Sequence, residues 1–195
     1  MPSKKKERIK WGIMIFIAFI MIGTSFSVVF FGFSDFSSSD TVRFNGIKFV
    51  KLKDRWEAKI NGKDAAFSFL PEEVKNISVE GDVAALLSGK LEIDSTYDLN
   101  SNFSQAMALA QHQFGLTLST YGIFVRNGLT NKSSFNLPVI TCNDSSSYVP
   151  VIYFRTANST GIRIENSCIV ARALDGTGFI KAKDRILYEM FGVYK

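Results

Sequence analysis

The sequence predicts an α+β domain behind an N-terminal transmembrane helix, with a mostly antiparallel sheet packed by two amphipathic helices. Three observations predict it. Residues 11–33 contain no Lys, Arg, Asp or Glu. Residues 41–71 alternate strand-like runs with Asn-Gly turns. Two later segments, 101–120 and 175–195, repeat apolar residues at helical spacing.

The uncharged run of 23 residues would extend roughly 34 Å as a helix, enough to cross a hydrocarbon core of about 30 Å. A secretory signal has a shorter apolar region and a small-residue cleavage site. The small cluster here, Gly23-Thr24-Ser25, lies in the middle of the run. The expected anchor is therefore retained. A pilin-like leader, cut after Gly12, would place an acidic residue near the fifth mature position, and that position is Ile17. Lys4, Lys5, Lys6, Arg8 and Lys10 precede the run, opposed by Glu7 alone. This bias predicts a cytoplasmic tail over residues 1–10, an anchor over 11–33, a polar linker over 34–40 and an extracytoplasmic domain over 41–195.

The formal charge is +5, from 23 basic and 18 acidic residues. The first ten residues carry five basic and one acidic side chain, which leaves 18 basic against 17 acidic in the rest. A nearly neutral domain excludes a nucleic-acid partner, and the tail lysines face lipid headgroups instead. The bilayer is the first expected partner.

Within the domain, Asn45-Gly46 and Asn61-Gly62 supply the positive φ angles of type I′ hairpins, and Lys53-Asp54 makes a third break. In "RWEAKI", Trp56, Ala58 and Ile60 face one way, and Arg55, Glu57 and Lys59 the other. A four-stranded antiparallel meander ending at Pro71 follows. The next stretch predicts one or two short helical turns, with Glu72 and Glu73 in a first turn where the helix dipole favours carboxylates. "KLEIDSTYD" reads as a strand. Phe103, Met107, Ala110, Phe114 and Leu118 form one stripe of a helix, capped by Ser101 or Asn102. Further strands are expected in "YGIFVRN", "LPVITC", "VPVIYFRT", "GIRI" and "CIVARA", with "ANST" and "ENS" as hairpin turns. "DGTG" turns into a last helix whose apolar face holds Phe179, Ile180, Ile186, Leu187, Met190 and Phe191.

Cys142 and Cys168 sit at strand-like positions. Outside the cytoplasm such a pair predicts a structural disulfide, stabilising the fold by about 3–4 kcal/mol. Five acceptor patterns, at Asn76, Asn102, Asn131, Asn143 and Asn158, are candidate N-glycosylation sites.

No catalytic, cofactor or metal signature is legible. The single histidine, His112, falls opposite the apolar stripe of its helix and reads as solvated. Asp184 and Arg185 read as members of ion pairs with Lys181, Lys183 or Glu189, or as hydrogen-bonded into the sheet. Trp56 and Tyr153 read as core aromatics.

The succession "LPVITCND", "VIYFRTANSTGIRIENSCIV" and "KAKDRILYEMFGV" resembles a family of small single-pass archaeal membrane proteins of unassigned function. The resemblance implies an anchored extracytoplasmic domain and no chemistry. The expected function is that of a membrane-anchored binding or assembly protein, with a protein partner or a second copy as further partner. The alternatives are a membrane-tethered enzyme and a pilin-like surface subunit.

Overall fold

The computed structural model describes residues 11, 14–17, 20, 21 and 40–194. The chain divides into two compact units, Met1–Ser39 and Asp40–Lys195. In the first, the described residues are helical and carry exposed apolar side chains, among them Trp11, Phe16 and Met21. No helix among the described residues is long and apolar enough to cross a membrane. The tail, the anchor expected over 11–33 and the linker fall almost wholly outside the described residues.

The second unit is a mixed α+β domain. Its first sheet is the expected meander of β1 (Thr41–Phe44), β2 (Ile47–Leu52), β3 (Arg55–Ile60) and β4 (Lys63–Phe67), antiparallel throughout. Asn45 and Gly46 take φ of 45° and 80°, and Asn61 and Gly62 take 52° and 80°. These are the left-handed conformations a type I′ hairpin needs. Alternation then sends Ala58, Ile60, Ala65 and Phe67 into the core. The outer edge of β4 is closed by α3 (Ser104–Thr120), whose Thr117 and Thr120 hydroxyls donate to the carbonyls of Ala66 and Asp64. Two short helices, α1 (Pro71–Val74) and α2 (Val83–Leu87), flank β5 (Ser78–Glu80).

The second sheet departs from the hairpin expectation. Its order is β5-β9-β10-β8-β6-β7, built from β5, β6 (Glu92–Tyr97), β7 (Phe124–Asn127), β8 (Val151–Thr156), β9 (Gly161–Glu165) and β10 (Cys168–Ala173). "ENS" is the hairpin turn expected, because Glu165 pairs with Cys168 across β9 and β10. "ANST" is not. It carries the chain from β8 past the position of β10, and β10 then inserts parallel to β8. β6 pairs parallel with both β7 and β8, and β5 parallel with β9. Parallel neighbours need a long crossover, which α3 supplies between β6 and β7. "LPVITC" forms no strand; it contributes an isolated bridge, Leu129 to Val139, and a 3-10 turn at Cys142–Asp144.

Helix α3 contacts both sheets; α4 (Gly176–Met190) packs on β9 and β10 of the second and meets the first through Tyr188, whose ring lies against Phe49 and Phe67. Met107, Ala110, Phe114 and Leu118 of α3 are fully buried, as the stripe predicts. So are Phe179, Ile186 and Leu187 of α4. The α3 cap differs from expectation: Phe103 occupies the cap position without a side-chain bond, and the Ser101 hydroxyl accepts the Phe103 N–H instead. Asp175 caps α4 by accepting the Gly178 N–H at 2.7 Å. Aromatic rings join the layers, with Phe67 stacked on Tyr188 and Tyr121 on Phe191, each pair 4.3 Å between centroids.

A smaller apolar cluster of Ile140, Val151, Cys168 and Val170 lies on the outer face of the second sheet. Cys142 and Cys168 form the expected disulfide there, fastening the 128–150 connection to the start of β10.

Candidate functional site

Strand order creates the first candidate site. From β6 the chain passes through α3 to β7 on one side, whereas from β8 it moves to β10 and β9 on the other. β6, β7, β8 and β10 run parallel, so their carboxyl ends share one edge. Connections that diverge from neighbouring parallel strands leave a crevice between them, the usual ligand position in parallel sheets. Here the crevice has a volume of about 390 Å³ and is lined by Asp98, Asn100, Asn102, Phe103, Tyr153 and Arg155, among others.

Its polar groups are partly uncommitted. One Asp98 oxygen accepts the Asn100 N–H at 3.0 Å, and the Ser101 and Thr156 hydroxyls bond each other across the crevice at 3.0 Å. The Tyr153 hydroxyl and the side-chain amides of Asn100 and Asn102 make no hydrogen bond among the described residues. Burial raises the Tyr153 pKa; the Arg155 charge lowers it and Asp98 raises it. Arg155 lies 5.9 Å from the Tyr153 ring centre and 3.7 Å from Glu165. The crevice therefore presents an aromatic face, a carboxylate, two amides and a guanidinium together. Hydrogen-bonding side chains beside an apolar ring suit a ligand with hydroxyls on one side and C–H groups on the other.

The second candidate is a groove of about 420 Å³ between α3 and the β4 edge. Leu109 and Leu116, 48% and 56% exposed, line it together with Ala66 and Phe67. Lys183 reaches it from α4 with only 1% of its surface exposed. Its ammonium donates to Asp184 Oδ1, and Asp184 Oδ2 accepts the Ser68 and Phe69 N–H groups at 2.9 Å each. Burial pushes the Asp184 carboxyl up, opposed by the Lys183 charge and these hydrogen bonds.

The residues singled out in the sequence are dispersed. His112 is exposed, as expected, and borders the groove. Glu72 and Glu73 are exposed on α1, where Glu73 accepts the Leu70 N–H at 2.7 Å. Arg185 pairs with Glu189 at 2.7 Å and lies 4.0 Å from the Tyr194 ring centre. Trp56 packs half-buried against the core, while Tyr153 lines the crevice instead of serving only the core. All five sequon asparagines, Asn76, Asn102, Asn131, Asn143 and Asn158, are exposed.

The sequence names Lys183 only as an ion-pair partner for Asp184, the pair that the structure forms; the burial of Lys183 went unread. Its signal was present: it stands four residues after Phe179 and four before Leu187, on the apolar face of the helix. The crevice had no comparable signal, because it depends on strand order. Both cysteines are bonded, so no thiolate stands ready for nucleophilic chemistry. Compared with known proteins, the chain matches no family model, no curated protein and no solved structure.

Proposed function

We propose that this chain is a membrane-anchored extracytoplasmic binding protein, with the crevice at the carboxyl edge of the second sheet as its ligand site. The ligand class is a small polyhydroxylated molecule of saccharide type. The observation that carries the reading is the convergence of Asp98, Asn100, Asn102 and Tyr153, with uncommitted hydrogen-bonding groups, where the chain diverges after β6 and β8. Vicinal hydroxyls pair with carboxylate and amide groups, and the C–H face of a sugar ring packs on Phe103 or Tyr153. The apolar run over residues 11–33, the lysine cluster before it and the disulfide support an anchored, oxidising location. The exposed sequons at Asn76, Asn131, Asn143 and Asn158 are acceptor sites in a host that glycosylates. Asn102 lines the crevice, so this reading requires its side-chain amide to stay unglycosylated.

The reading is tested by titrating the full chain with a panel of mono- and disaccharides in calorimetry. Binding to at least one sugar is expected, with a loss of at least about tenfold in Tyr153→Ala and Asn100→Ala. A panel without binding, or binding indifferent to both substitutions, would reject it. Protease protection of sealed vesicles tests the topology: the domain is expected on the side opposite the N-terminus.

A further inference from the structure

We infer that the outer face of the first sheet is a docking surface for a bilayer that carries anionic lipid headgroups. The inference rests on the anchored reading above and is separate from the crevice. Three features of the meander point there.

The first is where the charge lies. Residues 41–67 carry seven basic and three acidic side chains, whereas residues 68–195 carry eleven and twelve. The near-neutral sum of the domain thus hides a basic meander beside a slightly acidic remainder. Pairing sharpens the contrast. After residue 67, carboxylates engage most of the cations, among them Arg126, Arg172 and Arg185. In the meander Arg55 has such a partner, Glu57. Arg43, Lys48, Lys51, Lys53, Lys59 and Lys63 are exposed and form no ion pair among the described residues.

The second is their arrangement. The β1–β2 register sets Arg43 directly beside Lys48. Phe49 pairs with Ala58 across β2 and β3, so the next position along sets Lys48 beside Lys59. Phe49 and Ala58 point into the core, and strand alternation therefore puts Lys48 and Lys59 on the solvent face. Three cations stand in one row across three strands, ended by Asp64 opposite Lys59 on β4. Like charges on adjacent strands repel, and an anionic plane laid on the sheet relieves all three together. Leu52, 41% exposed, lies on the same face and suits the boundary between headgroups and acyl chains. The rings of Phe49, Trp56 and Phe67 lie on the core side, so none is placed to stack on a nucleic-acid base.

The third is the connection. Residues 34–40 separate the apolar run from β1, a reach of at most about 25 Å. With that run in the bilayer, the meander is the first part of the domain along the chain. So short a tether keeps its cations at high effective concentration beside the headgroups. An anionic surface attracts basic groups within a Debye length, about 10 Å at 0.1 M salt.

The test uses the full chain in vesicles of phosphatidylcholine, alone or with about 30% phosphatidylglycerol. Flotation with the neutral vesicles checks the anchor, which needs no lipid charge. Acetylation of individual lysines by a membrane-impermeant reagent, read by mass spectrometry, checks the docking. Lys48 and Lys59 are expected to react at least about threefold more slowly on the anionic vesicles. Lys132, exposed in the 128–150 connection, should react equally on both. The protection should vanish in about 1 M salt, where the Debye length is about 3 Å. Arg43→Glu, at an exposed position, should remove most of the protection without lowering the melting temperature. A chain that floats yet shows equal rates at Lys48 and Lys59 on both vesicles would overturn the inference alone. So would equal slowing of Lys132, or the same protection given by a DNA duplex without vesicles. A chain that does not float would reject the anchor, and the inference with it.

Discussion

The Asp184 carboxylate on α4 accepts the main-chain N–H of Phe69 at 2.9 Å across 115 residues of sequence. The same oxygen takes the Ser68 N–H, and the other oxygen takes Lys183, with both side chains at most 1% exposed. One carboxylate thus fastens the end of the meander to the last helix. Asp184→Ala strands a buried ammonium and two main-chain donors together. It is expected to lower stability by about 3–5 kcal/mol, read from denaturant unfolding. Loss under about 1 kcal/mol would mean that water replaces the carboxylate there.

The disulfide holds the 128–150 connection on the outer sheet face, where the apolar cluster is small. Reduction should cost about 3–4 kcal/mol. The released segment should also become the first site of proteolysis, since exposed Phe135, Leu137 and Val139 lie within it. Limited proteolysis with and without reductant, mapped by mass spectrometry, checks this; cleavage elsewhere first would contradict it.

Gly178 follows the cap of α4, and a Cβ there would lie 2.9 Å from both Ala173 Cβ and Thr160 Oγ1. The Thr160 hydroxyl can rotate, but Ala173 Cβ moves only with its strand. Gly178→Ala is expected to destabilise the domain by about 1–3 kcal/mol despite alanine's better helix propensity. Thermal melts of the variant beside the parent protein settle the sign.

Five of the six tyrosines, namely Tyr97, Tyr121, Tyr153, Tyr188 and Tyr194, have pKa values raised by burial, Tyr121 to about 12. Unfolded tyrosine ionises near pH 10. Between about 10 and 12 the unfolded chain therefore binds fewer protons than the folded one. The contribution to stability is complete below about pH 10 and is lost as pH rises through the folded values. Tyrosinate absorbance from these five should rise late, coincident with alkaline unfolding. Five groups ionising near pH 10 in a folded protein would refute it.

The sequence by itself determined the meander, the stripes of α3 and α4 and the disulfide. Each is written in local information: Asn45-Gly46 and Asn61-Gly62 demand positive φ, and strand alternation and helical spacing assign faces to Ala58, Phe114 and Ile186. Tertiary structure decided the rest. "ANST" has the composition of a hairpin turn whether the next strand pairs beside β8 or leaves room for β10, because turn residues fix local dihedrals and not strand order. The crevice follows from that order, so no stretch of sequence announces it. Lys183 belongs between the two cases: its spacing placed it on the buried face, but its charge argued for solvent. Only the packing of α4 against β4 and α3, with Asp184 as the adjacent acceptor, makes a buried lysine tolerable.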